Sequence, residues 1–187
     1  DAISNAVEKA EEMAGFRISN INCNISGGLP FTKVSSDSLQ ISNNQIKKED
    51  VLTLLNLDKH KSKYKDYVQL RRKPKAFKIE DNKEVENPVG LKSKTLTLEA
   101  INTYVNENVI ANLNKSIELC HLTVNQFYIT PEINGISTMI KEERDLGAII
   151  IDIGASLTSI GVYLKDSLIY SNFIKIGGIH ITSDLVK

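Results

Sequence analysis

Residues able to do chemistry concentrate near the C-terminal end of the sequence, where an apolar run reaches one carboxylate. Asp152 ends that run, and Gly154, Ala155 and Ser156 follow it before Thr158. Small side chains let a ligand approach consecutive backbone N–H groups, which can bind a phosphate. Thr158 can add a hydroxyl, and Asp152 can hold a water of hydrated Mg²⁺. Because the same pattern is common in ordinary β-hairpins, the stretch by itself leaves both interpretations open.

The residues that follow favour the phosphate interpretation. A second strand, a turn at Lys165–Asp166 and a third strand come next, and Gly177 and Gly178 precede a helix expected to start near Thr182. This order of elements is typical of an actin-like nucleotide-binding half-domain. Gly177 and Gly178 are therefore further candidates for contact with a nucleotide.

Composition limits the alternatives. The 187 residues carry 23 basic and 23 acidic side chains, so no net field attracts the chain to nucleic acid or to a membrane. Cys23 and Cys120 lack metal-ligand spacing and are expected to be reduced and buried. The three histidines have no partners at ligand spacing, so a metal site held by His or Cys is not expected. No apolar run reaches the ~20 residues that a membrane span needs, and no stretch of this sequence is expected to act as a signal peptide.

Strand and helix patterns alternate at both ends of the sequence, which predicts an α/β fold. The helical stripes begin near Ile3, Lys48, Asn106 and Pro131, and the strand-like stretches are "ISNINCNIS", "YVQL", "KAFKIE", "KTLTLEAINTYV" and "LTVNQFYI". Pro74 is expected to separate two of these strands, and "KEERDLG" is expected to be a charged surface turn. The strand-rich middle resembles a small α+β module inserted into the α/β layers.

A basic run crosses this middle part, from Lys59 to Lys78, where nine of twenty residues are Lys or Arg. Such a run can contact the phosphates of nucleic acid or anionic lipid. It is also typical of a solvated loop followed by an edge strand that lysines protect from pairing. We favour the solvated surface, since acidic residues follow directly and partly cancel the charge.

Taken in order along the chain, these stretches resemble the FtsA family of actin-like bacterial cell division proteins. The similar segments are "AVEKAEEMAG", "INCNISG", "NQIKKEDVLTLL", "PKAFKIE", "NPVGL", "ERDLGAIIIDIG" and "IKIGGIHITSDL". The phosphate turn departs from the family pattern D-x-G-G-G-T-T-D. Ala155 and Ser156 replace glycines, Leu157 replaces a threonine, and Ser159 replaces the second aspartate. Nucleotide contact through this turn is expected to be weakened, since positive φ at Ala155 or Ser156 would cost roughly 1 kcal/mol or more.

Two further departures from the family pattern concern local stability. Lys47 stands where the family favours a Thr N-cap, and His121 replaces a glycine in a turn.

The resemblance implies a domain organisation. Residues 1–34 and 106–145 would form part of the first actin-like (ribonuclease H-like) subdomain, and residues 146–187 would begin the second. Residues 35–105 would be the inserted SHS2-type module, called 1C, with a strand-helix-strand-strand fold. The first phosphate loop would precede Asp1 and the adenosine-binding elements would follow Lys187, so we expect an internal fragment with an incomplete ATP site.

The resemblance also implies a function. It predicts a cell division protein, not an enzyme, that binds ATP and Mg²⁺, self-associates, and links FtsZ filaments to the cytoplasmic membrane during septum formation. Contact with the membrane would be made only through a C-terminal helix absent here, and no nucleic acid would be bound. The alternatives are an ATP-dependent enzyme of the actin and sugar-kinase superfamily, and a basic nucleic-acid-binding module.

The inserted module carries its own expected role in contacts with neighbouring subunits and other division proteins. We expect Arg71, Arg72 and Lys73 to be exposed strand charges that serve recognition and contribute little to stability. An apolar set is predicted to form the module's own core: Ile41, Val51, Leu54, Leu55, Val68, Leu70, Phe77, Ile79, Leu96 and Leu98.

Overall fold

The computed structural model describes residues 2–57 and 64–186. The beginning of the basic run, Lys59 to Lys63 with His60, lies outside the described residues. The helices are α1 (Ala2–Ala14), α2 (Lys48–Asn56), α3 (Glu107–Glu118), α4 (Thr130–Thr138), α5 (Lys141–Leu146) and α6 (Gly178–Leu185). The strands are β1 (Asn20–Ile25), β2 (Phe31–Gln40), β3 (Tyr67–Lys78), β4 (Glu84–Val85), β5 (Thr95–Asn106), β6 (Thr123–Ile129), β7 (Ala148–Ile153), β8 (Thr158–Leu164) and β9 (Ser167–Ile174).

These strands form three sheets. β1 and β6 pair in parallel, β2, β5, β3 and β4 form an antiparallel sheet in that order, and β7, β8 and β9 form an antiparallel meander. The four-stranded sheet and α2 form the inserted module. In sequence, this module lies between the two parallel strands, β1 and β6. The predicted α/β class with an inserted module is therefore confirmed, whereas the boundaries at 34, 105 and 145 stay predictions.

Strand β2 is the longer of two strands that the sequence pattern missed, the other being β4. Its residues, "FTKVSSDSLQ", are mostly polar and carry no strong apolar alternation. All ten nevertheless pair with β5, from Phe31 opposite Tyr104 to Gln40 opposite Thr95. Cross-strand pairing, a non-local property, is what makes this segment a strand.

The expectation that Pro74 separates two strands is wrong. β3 continues through it, and the pairing with β5 shifts register between Pro74 and Ala76. Proline has no N–H to donate, so a bulge lets it remain in a strand without leaving a ladder bond unmade.

Two other local expectations also need correction. "KEERDL" forms the short helix α5, where the Ile140 N–H donates to Glu143 Oε2 at 3.0 Å and Gly147 ends the helix at φ 114°. Helix α6 begins at Gly178, four residues before the expected start at Thr182.

Strand β7 is not buried on both faces, contrary to the solid apolar run in its sequence. Ile149, Ile151 and Ile153 are 64%, 58% and 68% exposed, while the alternate residues turn inward. α4 and α5 pack near β7, which explains the one-sided burial. Asp152 belongs to the inward set, so its carboxylate is on the same side of the sheet as α4.

Among the described residues, two apolar clusters form the cores. The first lies inside the module and contains Ile41, Ile46, Leu54, Phe77, Leu96, Leu98 and Ala100, with Leu39, Val51, Leu55, Ile79 and Val85 against it. The second contains Ile25, Val105 and Ile129, with Val68, Leu70, Val109, Ile110, Leu113, Phe127 and Leu168 against it. Val68 and Leu70 were predicted for the module's own core and instead pack into this shared cluster.

Candidate functional site

The predicted phosphate turn connects β7 to β8. Asp152 pairs with Ser159 and Ile153 pairs with Thr158, so the turn consists of residues 154–157. The Gly154 N–H donates to the Leu157 carbonyl at 2.9 Å and closes it. A Cβ at Gly154 would lie 3.0 Å from that carbonyl oxygen, so the turn leaves little room for a side chain there.

Three consecutive N–H groups of the turn remain open. Within the part of the chain that the structure describes, the N–H groups of Ala155, Ser156 and Leu157 donate to no protein acceptor. None of these residues adopts positive φ, so the replacement of glycines by Ala155 and Ser156 introduces no backbone strain. Open, consecutive N–H groups are the feature from which proteins build anion-binding concavities.

The start of α6 supports the turn from beside it. The N–H groups of Gly178 and Ile179 donate to the carbonyls of Gly154 and Ala155, each at 2.9 Å. A Cβ on Gly177 would lie 2.5 Å from the Gly154 oxygen, so this close approach requires glycine. The Gly177 N–H donates to His180 Nδ1 at 3.1 Å. Gly177 and Gly178 thus hold the turn, and their own N–H groups are already used.

Thr158 has a similar supporting contact. Its hydroxyl donates to the Ile176 carbonyl at 2.7 Å, which ties the start of β8 to the segment before α6. The structure brings all seven residues predicted to contact a nucleotide together, in the turn or next to it. Nucleotide binding by these residues stays a prediction. The binding of Mg²⁺ to Asp152 through water stays a prediction too.

A cavity of about 310 Å³ lies beside the turn. It is lined by Asn24, Ser26, Thr130, Asp152, Gly154, Ala155, Ser156, Leu157, Ser159 and Phe173. The hydroxyl oxygen of Ser159 is buried and has no hydrogen-bond partner among the described residues. An unsatisfied hydroxyl and open N–H groups around one cavity are the arrangement expected of a site that binds a polar ligand.

Sequence reasoning missed Asn24, Ser26 and Thr130 in this site. Asn24 and Ser26 lie at the end of β1, and Thr130 directly follows β6. Because these strands are parallel, their carboxyl ends meet at one edge, where ligands of open α/β sheets commonly bind. Polar residues after each strand were the signal that could have found them.

A second cavity, of about 500 Å³, lies on the other side of the turn. Its lining residues are Gly28, Leu29, Ser156, Leu157, Lys175 and His180. Ser156 and Leu157 line both cavities, so the turn separates them. Lys175 and the imidazole of His180 give the second cavity a basic character that the first lacks.

Helix α4 links the site to the rest of the molecule. The Asn134 amide donates to Asp152 Oδ2 at 3.0 Å. On the same helix, the Glu132 carboxylate accepts from Arg71, and from Lys73 Nζ at 2.8 Å. Arg71 also donates to the Phe127 carbonyl at 2.9 Å and lies over the ring of Tyr128.

These contacts overturn the expectation that Arg71, Arg72 and Lys73 are free surface charges. Arg72 is the clearest case, since its side chain is 2% exposed and pairs with Asp37 at 2.6 Å and with Asn102 at 3.2 Å. Lys73 stays half exposed, but it too has a carboxylate partner in Glu132. The described arginines of the basic run are therefore structural.

Tyr163 on β8 holds the other side of α4. Its hydroxyl donates to the carbonyls of Pro131 and Glu132 at 3.2 and 3.0 Å, and a Cβ on Gly135 would overlap its ring. Burial raises the pKa of Tyr163 far above its ordinary value, and the nearby Glu132 carboxylate adds to this. The phenol therefore stays protonated and remains a donor.

Other chemistry finds little support in the described residues. Among them, no three His, Cys, Asp or Glu side chains cluster in a way that could hold a metal ion. Cys23 and Cys120 are both free and half-buried, and burial raises the pKa of the Cys23 thiol. In the same part of the chain, no helix combines the length and the apolar character needed to cross a membrane.

Comparison with known proteins agrees with this architecture. Residues 27–103 match a family model described as the SHS2 domain inserted in FTSA. The chain is 25% identical over 182 residues to the cell division protein FtsA of Rhizobium meliloti, covering 97% of the chain and 41% of that protein. It is 26% identical over 183 residues to FtsA of Escherichia coli, covering 98% of the chain and 44% of that protein. It thus spans less than half the length of these relatives.

Among solved structures, a chain of the PilM-PilN type IV pilus biogenesis complex superimposes with a TM-score of 0.60 at 13% identity. The match covers 97% of this chain and 50% of the other, and at this identity it concerns the fold alone.

The fold is an α/β architecture with an inserted module, and the family match describes that module as an SHS2 domain. Along nearly its whole length, the chain is similar to cell division proteins named FtsA.

Proposed function

We propose that this chain is part of an actin-like cell division protein that binds ATP with Mg²⁺, self-associates, and links FtsZ filaments to the cytoplasmic membrane at the division site. The similarity to FtsA over 97% of the chain supports the division role. The turn beside Asp152, with its open N–H groups, supports the nucleotide. We propose a cytoskeletal protein that binds ATP and hydrolyses it weakly at most, in preference to an enzyme.

The residues beside the turn suit a phosphate group. The N–H groups of Ala155, Ser156 and Leu157 can donate to phosphate oxygens, and Ser159 can supply its unpartnered hydroxyl. Asp152 can hold a water of hydrated Mg²⁺, which neutralises phosphate charge when bound. Gly177 and Gly178 would act indirectly by holding the turn in place.

A nucleic-acid-binding role receives less support from the structure than from the sequence. Arg71 and Arg72 are engaged with Glu132, Asp37 and Asn102, so contact with phosphates would require breaking buried ion pairs. A sugar-kinase role would need a sugar pocket and a catalytic aspartate. Asp152 lines the first cavity, but we assign it to hydrated Mg²⁺ and therefore do not propose this role.

Isothermal titration of the intact protein with Mg-ATP tests the nucleotide part of the proposal. Asp152→Ala should weaken binding, and Gly154→Val should weaken it more because a side chain would meet the Leu157 carbonyl. Asp145→Ala is a matched control, since this aspartate is exposed and lies in α5, at the opposite end of β7 from the turn. We expect the 187-residue chain alone to bind ATP poorly, and micromolar affinity would contradict the proposed incomplete site.

The division part is tested by sedimentation of the intact protein with FtsZ filaments and with anionic lipid vesicles. Joint pelleting of all three components is expected. If the protein pellets with neither FtsZ nor vesicles, the proposed link between filament and membrane is wrong, whatever its affinity for ATP.

A further inference from the structure

Asn134 is the feature of the site that neither the sequence pattern nor the comparisons assign. Its amide nitrogen lies 3.0 Å from Asp152 Oδ2, across the gap between α4 and β7. Among the described residues it is the only side chain that donates a hydrogen bond to this carboxylate. One oxygen of Asp152 is thereby fixed, whereas no hydrogen bond from the described residues reaches the other, and Asp152 lines the first cavity.

The chemistry of the amide suits this task. An Asn side chain is neutral, so it orients the carboxylate without forming the ion pair that a Lys or Arg would form. A cation there would compete with Mg²⁺ for the carboxylate, whereas an amide donor leaves its negative charge in place. Orientation without neutralisation is what a carboxylate needs in order to hold a hydrated cation.

Asn134 is itself held in place because α4 is anchored on two sides. The hydroxyl of Tyr163 bonds the carbonyls of Pro131 and Glu132 at the first turn of the helix. On the other side, Glu132 pairs with Arg71 and Lys73 of the inserted module. A helix fixed at its first turn by both neighbours gives the amide two residues later a defined position.

We propose that Asn134 is a positioning residue for Mg²⁺-dependent nucleotide binding, acting through Asp152. The proposal rests on the proposed function, since it concerns how the same site would hold hydrated Mg²⁺. It adds that the ion pairs of Glu132 with the inserted module support the position of the amide. Asn134 need not touch the nucleotide.

The test compares ATP affinity with Mg²⁺ and with EDTA, by titration calorimetry on the intact protein. Asn134→Ala should weaken Mg-ATP binding about tenfold, the expected loss for one hydrogen bond to a charged group. ATP affinity in EDTA should change less than about twofold. Asn134→Gln keeps the amide and should recover part of the Mg²⁺ effect. Ile136→Ala, an exposed position on the same helix, is the matched control and should behave as wild type.

A double substitution separates positioning from a general structural role. In an Asp152→Ala background, Asn134→Ala should have no further effect on Mg-ATP affinity, because the carboxylate through which Asn134 acts is absent. Equal losses with Mg²⁺ and with EDTA, or additive losses in the double variant, would overturn the inference while leaving the proposed function intact. If Asn134→Ala fails to fold by circular dichroism, the Asn134→Gln variant decides by the same Mg²⁺ and EDTA comparison.

Wild-type protein that binds ATP in neither buffer would refute the proposed function, and the role of Asn134 with it. Wild-type binding that is the same with Mg²⁺ and with EDTA would refute the role of Asn134 and the Mg²⁺ part of the proposed function, and would leave the ATP part standing.

Discussion

The two apolar clusters of this molecule share strands but differ in what they hold together. The module cluster takes Phe77 from β3 and Leu96 from β5, and its members all lie within the inserted segment. The shared cluster takes Val68 from β3 and Val105 from β5, and it joins them to β1, β6, α3 and β9. One end of each long strand therefore belongs to the module, and the other end belongs to the body that carries it.

The charges on β3 follow the same division. Near the shared cluster, Arg71 and Arg72 are almost fully covered and paired with Glu132 and Asp37. Near the module end, Lys75 and Lys78 pair with Glu99 closer to solvent. An inserted module with its own core can thus still be firmly joined to its host, provided that its exit strands continue into the host's core.

The largest expected losses of stability come from truncating one buried side chain in each cluster. Leu96→Ala and Val105→Ala each remove a side chain with no exposed surface, and each should cost about 2–4 kcal/mol of unfolding free energy. Hydrogen exchange should distinguish them. Leu96→Ala should speed exchange in β2 to β5 only, whereas Val105→Ala should also speed it in β1 and β6. Identical exchange patterns would show that the two clusters unfold as one.

A second pair of substitutions tests the buried and the exposed charges of β3. Arg72→Met should cost about 3 kcal/mol, because it removes the buried guanidinium that forms an ion pair with Asp37. Lys75→Met should cost less than about 1 kcal/mol, since that ion pair is screened by solvent. Urea denaturation of both variants measures the difference. Comparable losses of unfolding free energy would mean that the ion pair of Arg72 stabilises the fold no more than a surface pair does.

A stabilising substitution is expected on the host side. His121 follows α3 with φ 59°, a left-handed conformation that costs a non-glycine residue about 1 kcal/mol. His121→Gly should therefore raise the stability by up to that amount, less the entropy that glycine adds to the unfolded chain. Thermal unfolding checks the direction. His121→Ala is the control, and it should not stabilise.

The smallest effect concerns Glu99 and depends on pH. Its hydrogen bonds with Lys78 and Lys75 hold the pKa of Glu99 below its ordinary value. A depressed carboxyl pKa gives stability that is present above the unfolded pKa and lost as the pH falls through the folded one. Wild type should exceed Glu99→Gln by no more than about 1 kcal/mol at pH 7. The gap should close as the pH falls below the ordinary pKa of glutamate, about 4.3.

Local patterns predicted much of the fold. The alternation in "NINCNI" placed Ile21, Cys23 and Ile25 on the inner face of β1, and the structure agrees. Asn106, where the second long helix was expected to begin, does cap α3 through hydrogen bonds to the N–H groups of Asn108 and Val109. These features depend on residues a few positions apart, so the sequence carries them directly.

What the sequence did not reveal depends on distant partners. Arg72 appeared to be a surface charge because Asp37 and Asn102 lie some thirty residues away on either side. Of the candidate site, Asp152 and the small residues after it form one local motif and could be recognised. Asn24, Thr130 and Asn134 reach the same place only through the pairing of β1 with β6 and the packing of α4, which no local pattern encodes.

The parallel pair of β1 and β6 has a consequence for the order of folding. Asn20 pairs with Thr123, so this contact closes a loop of about one hundred residues, and such closures are slow. The inserted module shortens the search, because its first and last strands pair with each other and bring Phe31 beside Tyr104. Once the module has formed, β1 and β6 are separated by two short connections and α3. The insertion would then act as an internal scaffold for the host sheet. Deleting it should slow refolding more than replacing it with a flexible linker of the same end-to-end distance would.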